Sequence, residues 1–197
     1  MIEEAVSEAR GASGGLPANR TASRTVAVWD LPLRLWHWAL AVCVSTAWFT
    51  PPVYDSLHRI VGYAVLALLA FRLVWGVWGS RYSRFRMVGA RLRAAPSYLW
   101  NLRRGMTGRY IGLNPAGTLM LVALLLSLAV SAISGALSVT VTFFGVWWIE
   151  DTHAVASDAV MVLVVLHVVG VVLMGLMQRE NLIRAMFTGR KRIRGHQ

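Results

Sequence analysis

The chain has 197 residues, of which 56% are hydrophobic and only 15% charged, against about half and about a quarter in an ordinary soluble domain. The charges fall in blocks and leave four stretches nearly free of them: Leu33–Phe49, Leu57–Trp78, Pro115–Thr140 and His153–Met177. Each is near or above the roughly 20 residues that a helix needs to cross a bilayer, and together they leave no room for a separate soluble domain, which excludes most soluble-enzyme readings.

Residues 1–26 carry Glu3, Glu4 and Glu8 and are rich in Ala, Gly and Ser. A signal peptide has a basic start followed closely by an apolar run. This segment reads instead as a disordered tail, and the first span, expected at 33–50, is retained. The Pro51-Pro52 turn makes that span an antiparallel neighbour of the second, at 57–78. The loop 79–114 carries Arg81, Arg84, Arg86, Arg91, Arg93, Arg103, Arg104 and Arg109, and within it Leu92–Arg104, with Trp100, has the character of an interfacial amphipathic helix. The third span is expected at 115–140 and the fourth at 153–178, so the membrane domain covers 27–178. The intervening Val141–Thr152 has no Lys or Arg and carries Glu150 and Asp151. A basic tail, 179–197, closes the chain.

Cationic residues are enriched in cytoplasmic loops, so the placement of the Lys and Arg behind the net charge of +11, before the first span, between the second and third and after the fourth, puts both termini and the middle loop in the cytoplasm. The basic patches then read as anchors over anionic lipid rather than a nucleic-acid surface. Trp29, Trp36, Trp38, Trp48, Trp75, Trp78, Trp147 and Trp148 lie at or near the span ends, where amphipathic rings favour the interface. Backbone groups in lipid must be satisfied within the segment. The expected fold is therefore an all-α membrane protein, a four-transmembrane-helix bundle, in a bacterial inner membrane.

Of five histidines, His196 is in the basic tail and the other four lie within or at the mouths of spans: His37, His58, His153 and His167. An ionisable side chain at membrane depth is costly and points to function. His153 and His167 are 14 residues apart, which on a helix returns to within about 40° of the same face and separates the two by about 21 Å in depth. With both termini inside, His37 and His167 lie toward the cytoplasm and His58 and His153 toward the outside. Two imidazoles at each depth suit a bis-imidazole centre. A single metal ion usually wants more than two protein ligands; iron in a porphyrin needs only two axial ones, so two non-covalent b-type haems fit the count. The only cysteine is Cys43 and there is no C-x-x-C-H, which excludes covalent haem attachment by that route, an intramolecular disulfide and a Cys-ligated cluster.

Other residues can support such centres. Gly62 follows His58 by four and Gly170 follows His167 by three; small residues there leave space for a flat macrocycle or for a neighbouring helix. Arg72, 14 residues after His58, shares that face at the depth of the inner pair. It needs a counter-charge, for which haem propionates are candidates, unless it snorkels to the interface. Arg34 and Arg59 can serve propionates similarly, and Asp158 either pairs with Arg59 or reaches the headgroups.

Val28-Trp29-Asp30-Leu31-Pro32 followed by Arg34-Leu35-Trp36-His37-Trp38 resembles the helix-one signature of the bacterial cytochrome b561 / nickel–iron hydrogenase cytochrome b family. His58-Arg59-x-x-Gly62 with Arg72 and Trp75-Gly76 resembles its second helix. Gly112-Leu113-Asn114-Pro115-Ala116-Gly117 resembles the turn into its third. Asp151-Thr152-His153, Leu166-His167-Val168-x-Gly170 and the tail from Arg179-Glu180-Asn181-Leu182 to Gly189-Arg190-Lys191 resemble the remainder. The resemblance covers about residues 28–192 and implies a dihaem membrane cytochrome passing electrons between a quinone pool and a redox partner. It is partial, because the chain has four expected spans and no fifth helix or catalytic domain. The similar membrane subunits of formate dehydrogenase place a quinone by the cytoplasmic haem, near an Asn that Asn114 matches; Asn-Pro is also an ordinary entry turn for a helix. The implied outer partner is a periplasmic cytochrome c or a dehydrogenase subunit, for which the acidic Gly145–Thr152 segment is a docking surface. Two rivals are a self-contained oxidoreductase in which superoxide reduces the outer haem, with Arg59 attracting the anion, and a non-redox transporter or scaffold. The arginine distribution makes one direct prediction: a reporter fused after Gln197 is active in the cytoplasm, and periplasmic activity there overturns the topology and the depth pairing built on it.

Overall fold

A computed structural model describes residues 24–50, 55–79, 85, 88–106, 110, 112–178 and 181–193. The tail up to residue 23, the Pro51-Pro52 turn, Arg81, Arg84, Arg86, Arg109, Arg179, Arg194 and His196 lie outside them. The elements in order are β1 (Arg24–Ala27), α1 (Leu31–Phe49), α2 (Asp55–Trp78), α3 (Val88–Arg93), α4 (Ala95–Arg103), α5 (Pro115–Ser138), α6 (Trp147–Gln178), α7 (Leu182–Thr188) and β2 (Arg190–Ile193). The two short strands pair with each other; every other described element is helical. Ala27–Lys191 forms the main compact unit, and the outer ends of the strands belong to a second, small one.

The helix boundaries follow from local chemistry. α1 begins at Leu31, ahead of the expected 33, because the Asp30 Oδ1 atom accepts from the Leu33 N–H at 2.9 Å and Pro32 sits in the first turn, both helix-start signals. α5 begins where expected, with Asn114 as cap and Pro115 next. α6 begins at Trp147 rather than 153, so Glu150 and Asp151 lie in its first turns and not in a loop; acidic groups there oppose the positive end of the helix dipole. The expected interfacial helix at Leu92–Arg104 is two pieces, α3 and α4, broken at Ala94 with Pro96 in the first turn of α4. Pro lacks the N–H that a continuous helix would use.

The basic tail, expected as a separate segment from 179, is drawn onto the start of α1. Asn181 caps α7 through the Arg184 N–H at 2.7 Å, and Gly189 ends it at φ 73°. The Gly189 carbonyl accepts from the Val28 and Trp29 N–H groups at 2.9 and 3.2 Å. A Cβ on Gly189 would stand 2.7 Å from the Trp29 oxygen, so glycine is required there for space as well as for its positive φ. Arg34 Nη1 donates to the Phe187 carbonyl, and the Phe187 ring stacks on Trp38 with centroids 4.5 Å apart.

The four long helices share one apolar core, built from Leu33, Trp36 and Leu40 of α1, Val65 and Leu69 of α2, Leu128 of α5 and Val160 of α6. Trp36 is fixed within it by donating from Nε1 to the Leu68 carbonyl at 2.7 Å. Outside that seam the helices are apolar on the surface as well: along α6, Val162, Leu166 and Leu173 are 59%, 51% and 53% exposed. A continuous exposed apolar band of this extent is not tolerated in water and belongs in hydrocarbon. α2, α5 and α6 are long and apolar enough to cross a membrane. α1 is not among them: its 19 residues match a hydrocarbon core of about 30 Å at 1.5 Å per residue, but Arg34, Trp36, His37, Trp38, Ser45 and Thr46 dilute its apolar character.

Candidate functional site

The imidazoles expected at equal depth are the ones that lie ring to ring. His37 of α1 and His167 of α6 have centroids 6.3 Å apart with planes at 50°. His58 of α2 and His153 of α6 have centroids 6.0 Å apart with planes at 89°. α6 is unbroken between His153 and His167, so the two pairs are separated by about 21 Å along its axis. The backbone of α6 packs closely on α5, without comparable packing on α1 or α2; side chains, the two histidines and Val160 among them, are what reach toward those helices.

The His58–His153 pair is held at both rings. His58 Nδ1 lies 3.1 Å from the Ala47 carbonyl, and His153 Nδ1 lies 2.8 Å from the Ser131 carbonyl. A carbonyl oxygen can only accept, so each Nδ1 is the donor, which in a neutral ring leaves Nε2 as the nitrogen with the lone pair. That is the tautomer of a metal-ligating histidine with its second nitrogen anchored. In the inner pair, His37 Nδ1 is buried with no hydrogen-bond partner among the described residues, and its ring stands edge-on to Trp38 with centroids 5.3 Å apart.

This donor set fits a porphyrin iron. A first-row metal takes an imidazole nitrogen at about 2 Å, as zinc does, and that nitrogen is about 1 Å from its ring centre, so two rings on opposite sides of one metal have centroids about 6 Å apart. Among the described residues no three His, Cys, Asp or Glu side chains converge on a metal position, which disfavours an ion held by protein ligands alone. A Cβ added at Gly62 or Gly170 would meet nothing within 4 Å. Both glycines therefore border open space beside their histidines rather than a helix–helix contact.

The arginines are partnered within the chain. Arg72, 4% exposed, has its guanidinium 5.6 Å from the Trp36 ring and 4.6 Å from the Phe85 ring, with the Asp30 carboxylate as an opposite charge acting on it. Asp30 also accepts from Trp75 Nε1 at 3.1 Å. Phe85 lies so close over Gly76 that a Cβ there would come within 2.0 Å of it. Arg59 pairs with Asp55 at 3.0 Å one turn before it, not with Asp158, which is exposed. The outer charges therefore form a local helix pair rather than the α2–α6 bridge considered for Asp158.

Asn114 uses both ends of its amide. Oδ1 accepts from the Gly117 N–H at 2.6 Å, and Nδ2 donates to the Tyr98 hydroxyl at 3.1 Å. Tyr98 is buried on α4 and edge-on to Tyr110. Burial, and then Tyr110, push its phenol above the ordinary tyrosine range, opposed by the bond from Asn114. Sequence reasoning missed Tyr98 and Gly135. The latter gives His153 its seat: a Cβ on Gly135 would stand 2.8 Å from two atoms of that ring. The small pair Ser131-x-x-x-Gly135 in an otherwise Leu-rich helix is the signal that marks a close helix contact.

A protein-family model described as prokaryotic cytochrome b561 matches residues 28–189 of the chain. No curated protein and no solved structure matches it.

The cap that Asn114 provides is testable by itself. Asn114→Ala lowers the stability of the purified protein by about 1 kcal/mol, and Asn114→Ser, which restores a capping oxygen, recovers most of it. Thermal unfolding of the three proteins in one detergent checks this; equal losses in both variants would assign the stability to the Tyr98 contact instead.

Proposed function

The chain belongs to the prokaryotic cytochrome b561 family, membrane b-type cytochromes of electron transfer, and from that premise we propose that it is a dihaem protein of the bacterial inner membrane, carrying electrons between the quinone pool and a periplasmic redox partner. The observation that carries the dihaem reading is the presence of two imidazole pairs, at 6.3 and 6.0 Å between centroids, at two levels of one helix. In this reading α1, α2, α5 and α6 all span, with both termini cytoplasmic.

His37 and His167 would hold the inner haem and His58 and His153 the outer one. Bound there, the two haems supply reversible one-electron chemistry. The chain's own residues do the rest. Gly62 and Gly170 leave the flanks of the histidines clear. Arg34, one turn before His37, and Arg72 carry charge opposite to that of the porphyrin carboxylates at the inner level, whereas Arg59 at the outer level is already paired with Asp55. Asn114 and Tyr98, on the loop side of α5, present an amide and a phenol where a quinone headgroup would enter from the cytoplasmic leaflet. The outer face offers Glu150 and Asp151 in the exposed first turns of α6 to a periplasmic cytochrome c or dehydrogenase subunit.

The rivals fare less well. Membership of a haem-binding family removes the transporter or scaffold reading. Direct oxidation of superoxide would need a cation at the outer mouth, and Arg59, the residue placed for that, is paired with Asp55.

The pairing predicts how substitutions group. His37→Ala and His167→Ala perturb one spectral component, converting it to high-spin or losing it, while His58→Ala and His153→Ala perturb the other. Each single variant keeps the remaining haem low-spin, because its ligands stand about 21 Å away. Optical and paramagnetic resonance spectra of purified variants, with protein yield as a folding control, decide it; His37→Ala and His58→Ala acting on the same component would break the assignment. On the same samples Asn114→Ser, with its cap intact, slows reduction by quinol, and an unchanged rate removes Asn114 from the quinone site.

A further inference from the structure

We propose that α5 is the positioning element of the outer centre: Gly135 supplies the notch that receives the His153 ring, and the Ser131 carbonyl one turn earlier sets its tautomer and its strength as a ligand. The inference rests on the reading of His58 and His153 as axial ligands and adds two residues of α5, which carries no ligand of its own, to that site.

Three observations converge on it. The first is steric. A Cβ at Gly135 would stand 2.8 Å from both Cε1 and Nδ1 of His153 and 3.5 Å from Nε2. Even a methyl group would push the whole ring along its helix face, toward the rim of the pair with His58. Gly135 lies mid-helix with no turn to make, and a mid-helix glycine costs up to about 1 kcal/mol relative to alanine; the ring is what occupies the space that this cost leaves open.

The second is polar. His153 Nδ1–H donates to the Ser131 carbonyl at 2.8 Å, and donation from the distal nitrogen raises the basicity of the coordinating one. Ser134 competes for that oxygen: its hydroxyl reaches the Ser131 carbonyl at 3.0 Å as well as the Val130 carbonyl at 2.7 Å. The third is that the backbone of His153 is held by the same contact. Ser157 donates to the His153 carbonyl at 2.7 Å and meets Ser131 Oγ at 2.8 Å. Ring and backbone are thus both referenced to one turn of α5. His37 of the inner pair has no such acceptor at Nδ1 among the described residues.

Haem potential follows ligand basicity and hydrogen bonding around the iron, which gives two substitutions of opposite sign. Gly135→Ala displaces the ring from its carbonyl and weakens the donor, so the midpoint potential of the outer component rises and its low-spin resonance changes. Ser134→Ala removes the competing donor, strengthens the His153 bond, and moves the same potential down. In both variants the component that His37→Ala abolishes keeps its potential and spectrum. The experiment is a redox titration of the full-length purified protein followed optically, with resonance spectra of the oxidised samples. An outer component that stays at the wild-type potential in both variants, or an inner component that moves instead, overturns the proposal. If Gly135→Ala fails to accumulate, the conservative Ser134→Ala decides alone. Wild type is measured first: a single haem component there sinks the two-centre reading and this inference with it, whereas two components with an unmoved outer one sink only the inference.

Discussion

Two imidazoles on one face of a single unbroken helix, about 21 Å apart along its axis, constrain everything packed around α6. An unpartnered polar ring at membrane depth is costly, and the acceptor that His153 finds for Nδ1 lies on a neighbouring helix, at Ser131. The solution is to set a second imidazole opposite each, from α1 at one level and α2 at the other. His37 and His58 each lie near the start of their helix, and each meets a different histidine of α6. The tight pairing of α5 with α6 then follows, because something other than the ligand helices must hold α6 in place while its histidines reach across.

Packing is distributed accordingly. The shared core is short, a seam of Leu33, Trp36, Leu40, Val65, Leu69, Leu128 and Val160, and most of the remaining apolar surface faces outward. Burial of apolar area cannot drive association between helices in lipid; close contacts, interhelical hydrogen bonds and small residues do. The structure uses these around His153, in the Ser131–Ser157 contact and the Gly135 notch. Around the start of α1 it uses aromatic rings: Trp36 and Phe85 about Arg72, Trp38 on Phe187, and Trp75 on Asp30. That end is also where α7 returns to α1, through Gly189 and the Phe187–Trp38 stack.

Much of this arrangement could be read in the chain before any coordinates. Arginine placement and the 14-residue interval are one-dimensional signals of depth and face, and they bring together the histidines that the structure brings together. Asn114-Pro115 announces its helix, whereas the cap at Asp30 starts α1 two residues before the expected 33. What could not be read depends on azimuth and on single side-chain contacts. The small pair Ser131-x-x-x-Gly135 marks a close contact of α5, but which helix and which side chain fill it is not encoded in the pair. Arg59 pairs with Asp55 rather than Asp158 because a partner one turn away on the same helix is nearer than one on a neighbour. Asn114 was legible as a cap, but its second bond depends on Tyr98, which only the folding of α4 against α5 brings within reach. The early start of α6 was hidden by Glu150 and Asp151, charges that break an apolar pattern without breaking a helix.

The central claim is that one chain holds two haem irons, each between a pair of histidines. The most direct measurement is the ratio of non-covalent haem to polypeptide in the purified wild-type protein, taken with its ferric resonance spectrum at low temperature. Two haems per chain, both low-spin and distinguishable from each other, are the predicted result. One haem per chain, or a second haem that is high-spin at full occupancy, would contradict it.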